Sequence, residues 1–123
     1  MIKETHKFKV SVINTNYYYV EIKDDVEFEI NDLNILIEFE NKICGKRLPV
    51  LVFCAPTAAT NIELIQHLSK NKNNPFSKAD AFVITSLAQK ILANFYLKFQ
   101  HHERPVKFFT TKNEALTWLE QFY

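Results

Sequence analysis

Glycine is almost absent from this chain, which has one such residue, Gly45, among 123. A phosphate-binding P-loop needs several glycines so that backbone N–H groups can wrap the phosphate, and a dinucleotide-binding fingerprint needs three at close spacing. The G-x-S-x-G turn that carries the nucleophilic serine of many hydrolases needs two. Because none of these motifs can be written with one glycine, the sequence excludes all three.

A surplus of positive charge is also lacking, since 15 Lys and Arg residues stand against 14 Asp and Glu. Nucleic-acid binders neutralise phosphates with such a surplus, so we expect no nucleic-acid partner. The first residues, "MIKETHKFKV", lack the apolar stretch of a signal peptide. The central run "LPVLVFCAPTAAT" is too short and too interrupted by proline to span a bilayer. The sequence therefore predicts a cytoplasmic protein without a membrane span.

Residues that could hold a metal or attack a substrate are few and scattered. Cys44 and Cys54 lie ten residues apart without a second pair, so we expect reduced core thiols, with a disulfide between them left open. His101 and His102 are adjacent and their side chains point apart, which favours a solvated helix end over a metal site. No Ser-His-Asp, Cys-His or paired-carboxylate arrangement stands out. The sequence predicts no enzyme, no catalytic or metal-binding residue, and no cofactor.

Apolar bulk is what the chain does have, with 47% hydrophobic and 14% aromatic residues, enough for one domain over 1–123. Alternation in "HKFKVSVI" and "YYYVEIK", with "NTN" between them, predicts an antiparallel hairpin. After an acidic turn, "VEFEI" is a brief edge strand or an extended lead-in. The apolar runs "LPVLVFC" and "ADAFVITS" predict strands covered on both faces, and "VKFFT" predicts a last short strand.

Four helices are predicted between and after these strands. The first runs from about Ile30 to Cys44 and stops at Gly45, where a left-handed conformation costs least. The second begins at the capping box "TNIE", with Thr60 as the cap, and the fourth begins at "TKNE". The third covers "SLAQKILANFYLKFQ", with an inner face of Ala88, Ile91, Leu92, Phe95 and Phe99. Strands that alternate with helices predict an α/β fold with a parallel or mixed sheet.

The string "SLAQKILANFYLKFQHHERPVKFFTTKNEALTWL", from Ser86 to Leu119, places a helix, a proline-led strand and a closing helix in succession. With this string, the opening hairpin and "RLPVLVFCAP", the chain resembles the STAS-like (SpoIIAA-like) family, the fold of bacterial anti-sigma-factor antagonists. Within it, the chain is most similar to small stand-alone bacterial proteins of unassigned function. The resemblance implies one STAS-like α/β domain: a mixed sheet with an N-terminal antiparallel hairpin, then alternating helices and strands, with about four helices.

The resemblance also implies where a regulatory switch would lie. In regulatory STAS domains, a helix after a central strand begins with a serine in a D-S-S-G-like motif that a partner kinase phosphorylates. This chain lacks that motif. The matching loop is either "CAPTAATN", with Thr57 and Thr60, or "ITSLAQ", with Thr85 and Ser86. Thr57, Thr60 and Ser86 are the candidate modification sites, and Thr60 has a competing structural role as a helix cap.

Tyr17 and Tyr19 are expected on the polar face of the second strand of the hairpin. Exposed tyrosines on a strand offer a large contact area at low entropy cost, so they are candidates for a partner surface. The alternative is that one of the protein's own helices covers this face.

Two functions follow from the resemblance. The first is a non-enzymatic regulatory or protein-interaction module, with another protein or a second copy of itself as the partner. The second is a small carrier of an apolar ligand or lipid, since the same group is described alongside the CRAL-TRIO lipid-transfer fold. A pocket beneath Phe95, Tyr96 and Phe99 would hold the lipid tail. Against the carrier stands the need of a small domain for these aromatic residues in its own core.

Overall fold

The structure is a computed structural model that describes residues 1–99 and 102–123, with the side chain of Phe99 outside the described part. The strands are β1 (Ile2–Glu4), β2 (Phe8–Ile13), β3 (Tyr17–Ile22), β4 (Glu27–Phe28), β5 (Leu48–Cys54), β6 (Ala59–Thr60), β7 (Ser77–Val83) and β8 (Val106–Phe109). The helices are α1 (Ile30–Ile43), α2 (Ile62–Leu68), α3 (Leu87–Phe99) and α4 (Lys112–Leu119). Short 3-10 turns cover Asn71–Asn73 and Glu120–Phe122.

Six of the strands form one mixed sheet in the order β1-β2-β3-β5-β7-β8. The first three strands are antiparallel, and β3, β5, β7 and β8 are parallel. The hairpin turns at Asn14 and Thr15, both with positive φ. The predicted hairpin, mixed sheet and four helices are confirmed. Strand β1 was not predicted, because three residues are too few to show an alternating pattern.

The two faces of the sheet carry different helices. Tyr18, Val20 and Val52 point to the face covered by α1, α2 and α3, which we call the cavity face. Leu51, Ala79 and Ala81 point to the opposite face, where α4 and the C-terminal 3-10 turn pack, and which we call the α4 face. Strands β5 and β7 are therefore covered on both sides, as their apolar runs predict. That residues 1–123 form a single domain stays a prediction.

Two predicted helix ends agree with the structure and one departs from it. Gly45 ends α1 at φ +72°, and Thr111 caps α4 by accepting from the Glu114 N–H. The prediction of Thr60 as the cap of α2 is wrong. Asn61 is the cap, with its Oδ1 accepting from the Leu64 N–H at 2.8 Å. Thr60 lies in β6, which pairs with β4, and its hydroxyl donates to the Phe28 carbonyl at 2.7 Å.

Helix α3 presents a different face to the sheet from the predicted one. Ala93 and Tyr96 are its buried residues, whereas Ala88 is exposed and Ile91 is 62% exposed. The predicted inner face is therefore wrong at Ala88 and Ile91, because these positions lie at the opening of a cavity rather than on a packed core. Gln100, the predicted last residue of this helix, lies outside the described residues. Among the described helices, none combines the length and apolarity needed to cross a bilayer.

Candidate ligand-binding site

A cavity of about 580 Å³ lies between the cavity face of the sheet and the three helices above it. Ligand pockets in proteins span about 300–1,000 Å³ and are mostly apolar, so both the size and the lining suit a small molecule. Strands β3, β5 and β7 form the floor, and α1, α2 and α3 form the walls. The apolar lining includes Val20, Ile22, Leu36, Val52, Leu64, Ile65, Phe82 and Phe108.

One end of the cavity is polar, at the amino ends of the parallel strands. Asp80 of β7 is 2% exposed and pairs with Arg104, whose Nη2 lies 2.6 Å and Nε 2.9 Å from Asp80 Oδ2. Ser77 Oγ donates to the other carboxylate oxygen of Asp80. Arg104 also donates to the Leu68 carbonyl at 2.9 Å and to Asn71 Oδ1 at 3.3 Å. The charge of the guanidinium is therefore paired with Asp80, and its Nε, Nη1 and Nη2 atoms each contact an acceptor of the protein.

Glu40 of α1 lines the same end of the cavity and is 1% exposed. Among the described residues, no hydrogen-bond partner reaches its Oε1. Burial is the largest cause of a rise in the pKa of Glu40 to about 8, the charge of Asp80 adds to it, and Arg104 opposes it. The Glu40 carboxyl group therefore keeps its proton at neutral pH and can both donate and accept a hydrogen bond.

Tyr96 of α3 also lines the cavity, within reach of the charge of Asp80. It is 1% exposed, and within residues 1–99 and 102–123 its hydroxyl has no hydrogen-bond partner. Burial, followed by the charge of Asp80, raises the pKa of Tyr96 to about 12, so the phenol stays neutral. Its ring packs against His102, with ring centroids 4.5 Å apart. The expectation of a solvated helix end is thus wrong for His102, and His101 lies outside the described residues.

The opposite end of the cavity opens between α2 and α3. Ile62 at the start of α2 is 49% exposed and Ile91 of α3 is 62% exposed, and both line the cavity. Gln89 anchors the start of α3 here, because its Nε2 donates to the carbonyls of Ala55 and Ala58 at 2.7 and 3.0 Å. The entrance is therefore apolar at its rim and is anchored to the loop after β5.

The three candidate modification sites lie near this entrance in structural roles. The Thr57 hydroxyl donates to Asp24 Oδ1 at 2.9 Å and accepts from the Asp25 N–H at 2.8 Å. Ser86 Oγ accepts from the Gln89 N–H at 3.2 Å, which caps α3. Thr60 bonds to the β4 backbone as described above. A phosphate on Thr57 would face the carboxylate of Asp24, and modification at any of the three sites stays a prediction.

Tyr17 and Tyr19 are half-buried on the α4 face. The Tyr17 ring stacks on Tyr123 with centroids 6.0 Å apart, and the Tyr19 hydroxyl donates to Glu21 Oε1 at 3.1 Å. The Lys112 ammonium of α4 lies 5.0 Å from the centre of the Tyr19 ring. A role of these two tyrosines in partner binding stays a prediction, and it would have to use the edges that α4 leaves accessible.

Metal-binding and thiol chemistry gain little support from the geometry. In the part of the chain that the structure describes, no three His, Cys, Asp or Glu side chains come together as a metal site. Cys44 and Cys54 are both free and half-buried. Burial raises the pKa of Cys54 to about 12, so its thiol is a poor nucleophile.

The sequence interpretation missed the polar end of the cavity, although two signals for it are present. Glu40 continues the apolar stripe of α1 after Leu33 and Leu36, at a position that faces the core. Asp80 lies within an apolar run that the sequence identifies as a buried strand. A charged residue at such a position is rarely buried without a partner, and that was the available sign. Nothing local to Arg104 identifies it as that partner.

Comparison with solved structures gives the class of fold. The chain is similar to the crystal structure of an uncharacterized protein of the DUF3478 family with a SpoIIAA-like fold from Shewanella loihica PV-4. The TM-score is 0.61 at 17% sequence identity, over 97% of this chain and 98% of that one. The protein therefore has a SpoIIAA-like fold, and the predicted resemblance is confirmed.

The family is given by a sequence comparison. Residues 12–123 match the model of a domain of unknown function, DUF7793, and the chain belongs to this family. No curated protein matches the chain. Neither match indicates a catalytic function, a ligand or a partner.

Proposed function

We propose that this protein is a non-enzymatic module that binds one apolar or amphiphilic small molecule between the sheet and helices α1, α2 and α3. The observation that carries the proposal is the cavity of about 580 Å³, whose lining is almost entirely aliphatic and aromatic. An apolar ligand gains free energy in proportion to the apolar surface that it removes from water. The carrier pocket was predicted beneath Phe95, Tyr96 and Phe99; Phe95 and Tyr96 line this cavity, which supports the proposal, and the side chain of Phe99 lies outside the described residues.

The entrance supports the same function. Ile62 and Ile91 form its rim, and Leu87, one turn before Ile91 on α3, is 74% exposed. Apolar side chains on the surface around an apolar opening favour contact with a lipid surface or with a partner that delivers the ligand. A small domain needs aromatic residues for its own core, which was the argument against a carrier. Here a separate apolar cluster on the α4 face supplies a core that does not involve the cavity.

A regulatory or protein-interaction module, acting through a partner or as a homodimer, is the second candidate. It is supported by the SpoIIAA-like fold and by the exposed residues Leu87, Ile91 and Leu97 along α3. The two functions are compatible, because a ligand beneath α3 would change the helix that the partner contacts. They differ in what co-purifies with the protein: a small molecule for the carrier, and a protein partner or a second copy for the interaction module.

Native mass spectrometry combined with a fluorescent probe tests the proposal. We expect a protein peak with one added small molecule after mild purification. We also expect the delipidated protein to bind the neutral apolar dye N-phenyl-1-naphthylamine at one site. Ala93→Phe places a ring inside the cavity, since Ala93 is a buried lining residue of α3, and should abolish dye binding.

Thr117→Phe is the matched control, because it adds the same ring to an exposed position on α4 and should bind the dye like the wild type. Wild-type protein that carries no small molecule and binds no dye would contradict the carrier. A homodimer without added mass in the same spectrum would favour the interaction module instead.

A further inference from the structure

Two buried polar groups, Glu40 Oε1 and the Tyr96 hydroxyl, line the closed end of the cavity, and the charge of Asp80 acts on both. Glu40 comes from α1 and Tyr96 from α3, and each is 1% exposed. Within the described residues, neither Glu40 Oε1 nor the Tyr96 hydroxyl has a hydrogen-bond partner. An unsatisfied buried polar group costs about 1–3 kcal/mol, so two of them at one end of an apolar cavity need an explanation.

We propose that Glu40 and Tyr96 bind the head group of an amphiphile whose head is an uncharged hydroxyl, such as a long-chain alcohol. This inference rests on the proposed function and adds the chemical class of the ligand. A hydroxyl donates one hydrogen bond and accepts two, which matches a phenol and a protonated carboxyl group that each donate and accept. The alkyl chain then extends along the apolar floor towards Ile62 and Ile91.

Anionic heads do not suit this end of the cavity. Among the described lining residues there is no Lys, Arg or His. Arg104 is not among the lining residues, and it donates to Asp80, Leu68 and Asn71. A carboxylate or phosphate head would therefore enter beside Asp80 and Glu40 without a free cation, at a cost that burial increases.

A cationic head is disfavoured for a different reason. An ammonium group would need the ionised form of Glu40 as its partner. Burial and the neighbouring charge of Asp80 hold the pKa of Glu40 near 8, so the carboxyl group is mostly protonated at neutral pH. The neighbouring Asp80–Arg104 pair is already neutral as a unit. An uncharged head is the one that leaves no net charge in the cavity.

Competition against N-phenyl-1-naphthylamine at neutral pH tests this inference. We expect decanol to displace the dye at concentrations at least about tenfold below those of decanoate and of decylamine, because both ions must be desolvated. Tyr96→Phe and Glu40→Met each remove one polar group with little change in volume. Each should weaken decanol binding about fivefold, the effect of one lost hydrogen bond.

Tyr123→Phe and Glu38→Gln are the matched controls, since both residues are exposed and lie outside the cavity lining. They should bind decanol like the wild type. Decanoate or decylamine that binds as tightly as decanol would overturn the inference, as would unchanged decanol affinity in both Tyr96→Phe and Glu40→Met. Dye binding by the wild type in those cases leaves the proposed function intact, whereas absence of dye binding defeats both.

Discussion

The two faces of the sheet differ in how closely their helices pack against the strands. On the α4 face, the small residues Ala79, Ala81 and Ala115 let the helix approach closely, and all three are 0% exposed, as is Leu119. On the cavity face, the helices stand far enough from the strands to leave about 580 Å³ between them. The cavity face instead has polar interactions at its two ends. At the entrance these are the hydrogen bonds of Gln89, and at the closed end the ion pair between Asp80 and Arg104.

This difference shows how a small protein can keep a large apolar cavity and still fold. Close packing on one face supplies stability without regard to any ligand. Directional hydrogen bonds and an ion pair on the other face hold helix ends in place without filling the space between them. The comparison therefore predicts that the free energy of unfolding falls most when the ion pair or the hydrogen bonds of the cavity face are removed.

The largest effect is expected from Arg104→Met. It removes the partner of the buried Asp80 carboxylate and the links to Leu68 and Asn71. Loss of one partner of a buried ion pair costs about 3–5 kcal/mol, because the remaining charge is left uncompensated. Urea unfolding of the variant and the wild type measures the change in the free energy of unfolding.

The double variant Asp80→Asn with Arg104→Met is the control, since it removes the stranded charge and should recover part of the loss. If Arg104→Met changes stability by less than about 1 kcal/mol, the ion pair does not hold the closed end and the comparison between the faces fails.

A smaller effect concerns the pH dependence that Glu40 gives to stability. Its pKa is raised from 4.5 to about 8 in the folded protein, so the folded state keeps a proton that the unfolded state releases. The free energy of unfolding therefore falls as pH rises from about 4.5 towards 8, and the contribution is most favourable below 4.5. Glu40→Gln removes this dependence and should stabilise the protein at pH 8 by on the order of 2–4 kcal/mol.

Urea unfolding at a series of pH values measures this effect. Glu38→Gln, an exposed position on the same helix, should keep the pH profile of the wild type. A Glu40→Gln profile parallel to that of the wild type between pH 4.5 and 8 would show that the carboxyl group is ionised in the folded state.

The fold could be predicted from the sequence because its signals are local and periodic. The alternation in β2 and β3, the apolar runs of β5 and β7 and the stop at Gly45 each depend on a few neighbouring residues. Local patterns do not predict the cavity, and the pocket expected beneath Phe95, Tyr96 and Phe99 came only from the family resemblance. Ile91 and Ala93 are both apolar, yet one lies at the rim and the other is buried. Their difference depends on how far α3 lies from the sheet, which no local pattern encodes.

The two capping boxes show the same limit on a smaller scale. "TNIE" and "TKNE" predict equivalent helix starts, and at α4 the prediction holds, with Thr111 and Glu114 bonded at 2.9 Å. At α2, pairing of β6 with β4 takes Thr60 into a strand, and the cap moves to Asn61. A tertiary contact with residues more than thirty positions away thus overrides the local signal.

The smallest expected effect on stability comes from the caps of these two helices, of which α2 lies on the cavity face and α4 on the α4 face. Asn61→Ala and Thr111→Ala should each lower the free energy of unfolding by about 1 kcal/mol, because each removes the side chain that accepts from a backbone N–H of the first turn. Glu63→Ala should stay within a few tenths of a kcal/mol, since Glu63 is exposed and completes no box at α2. Chemical denaturation of the three variants in moderate salt, which screens the helix dipole, measures these differences. A loss at Glu63→Ala as large as that at Asn61→Ala would place the cap at Thr60 after all, and would mean that β6 is not paired with β4 when the protein is in solution.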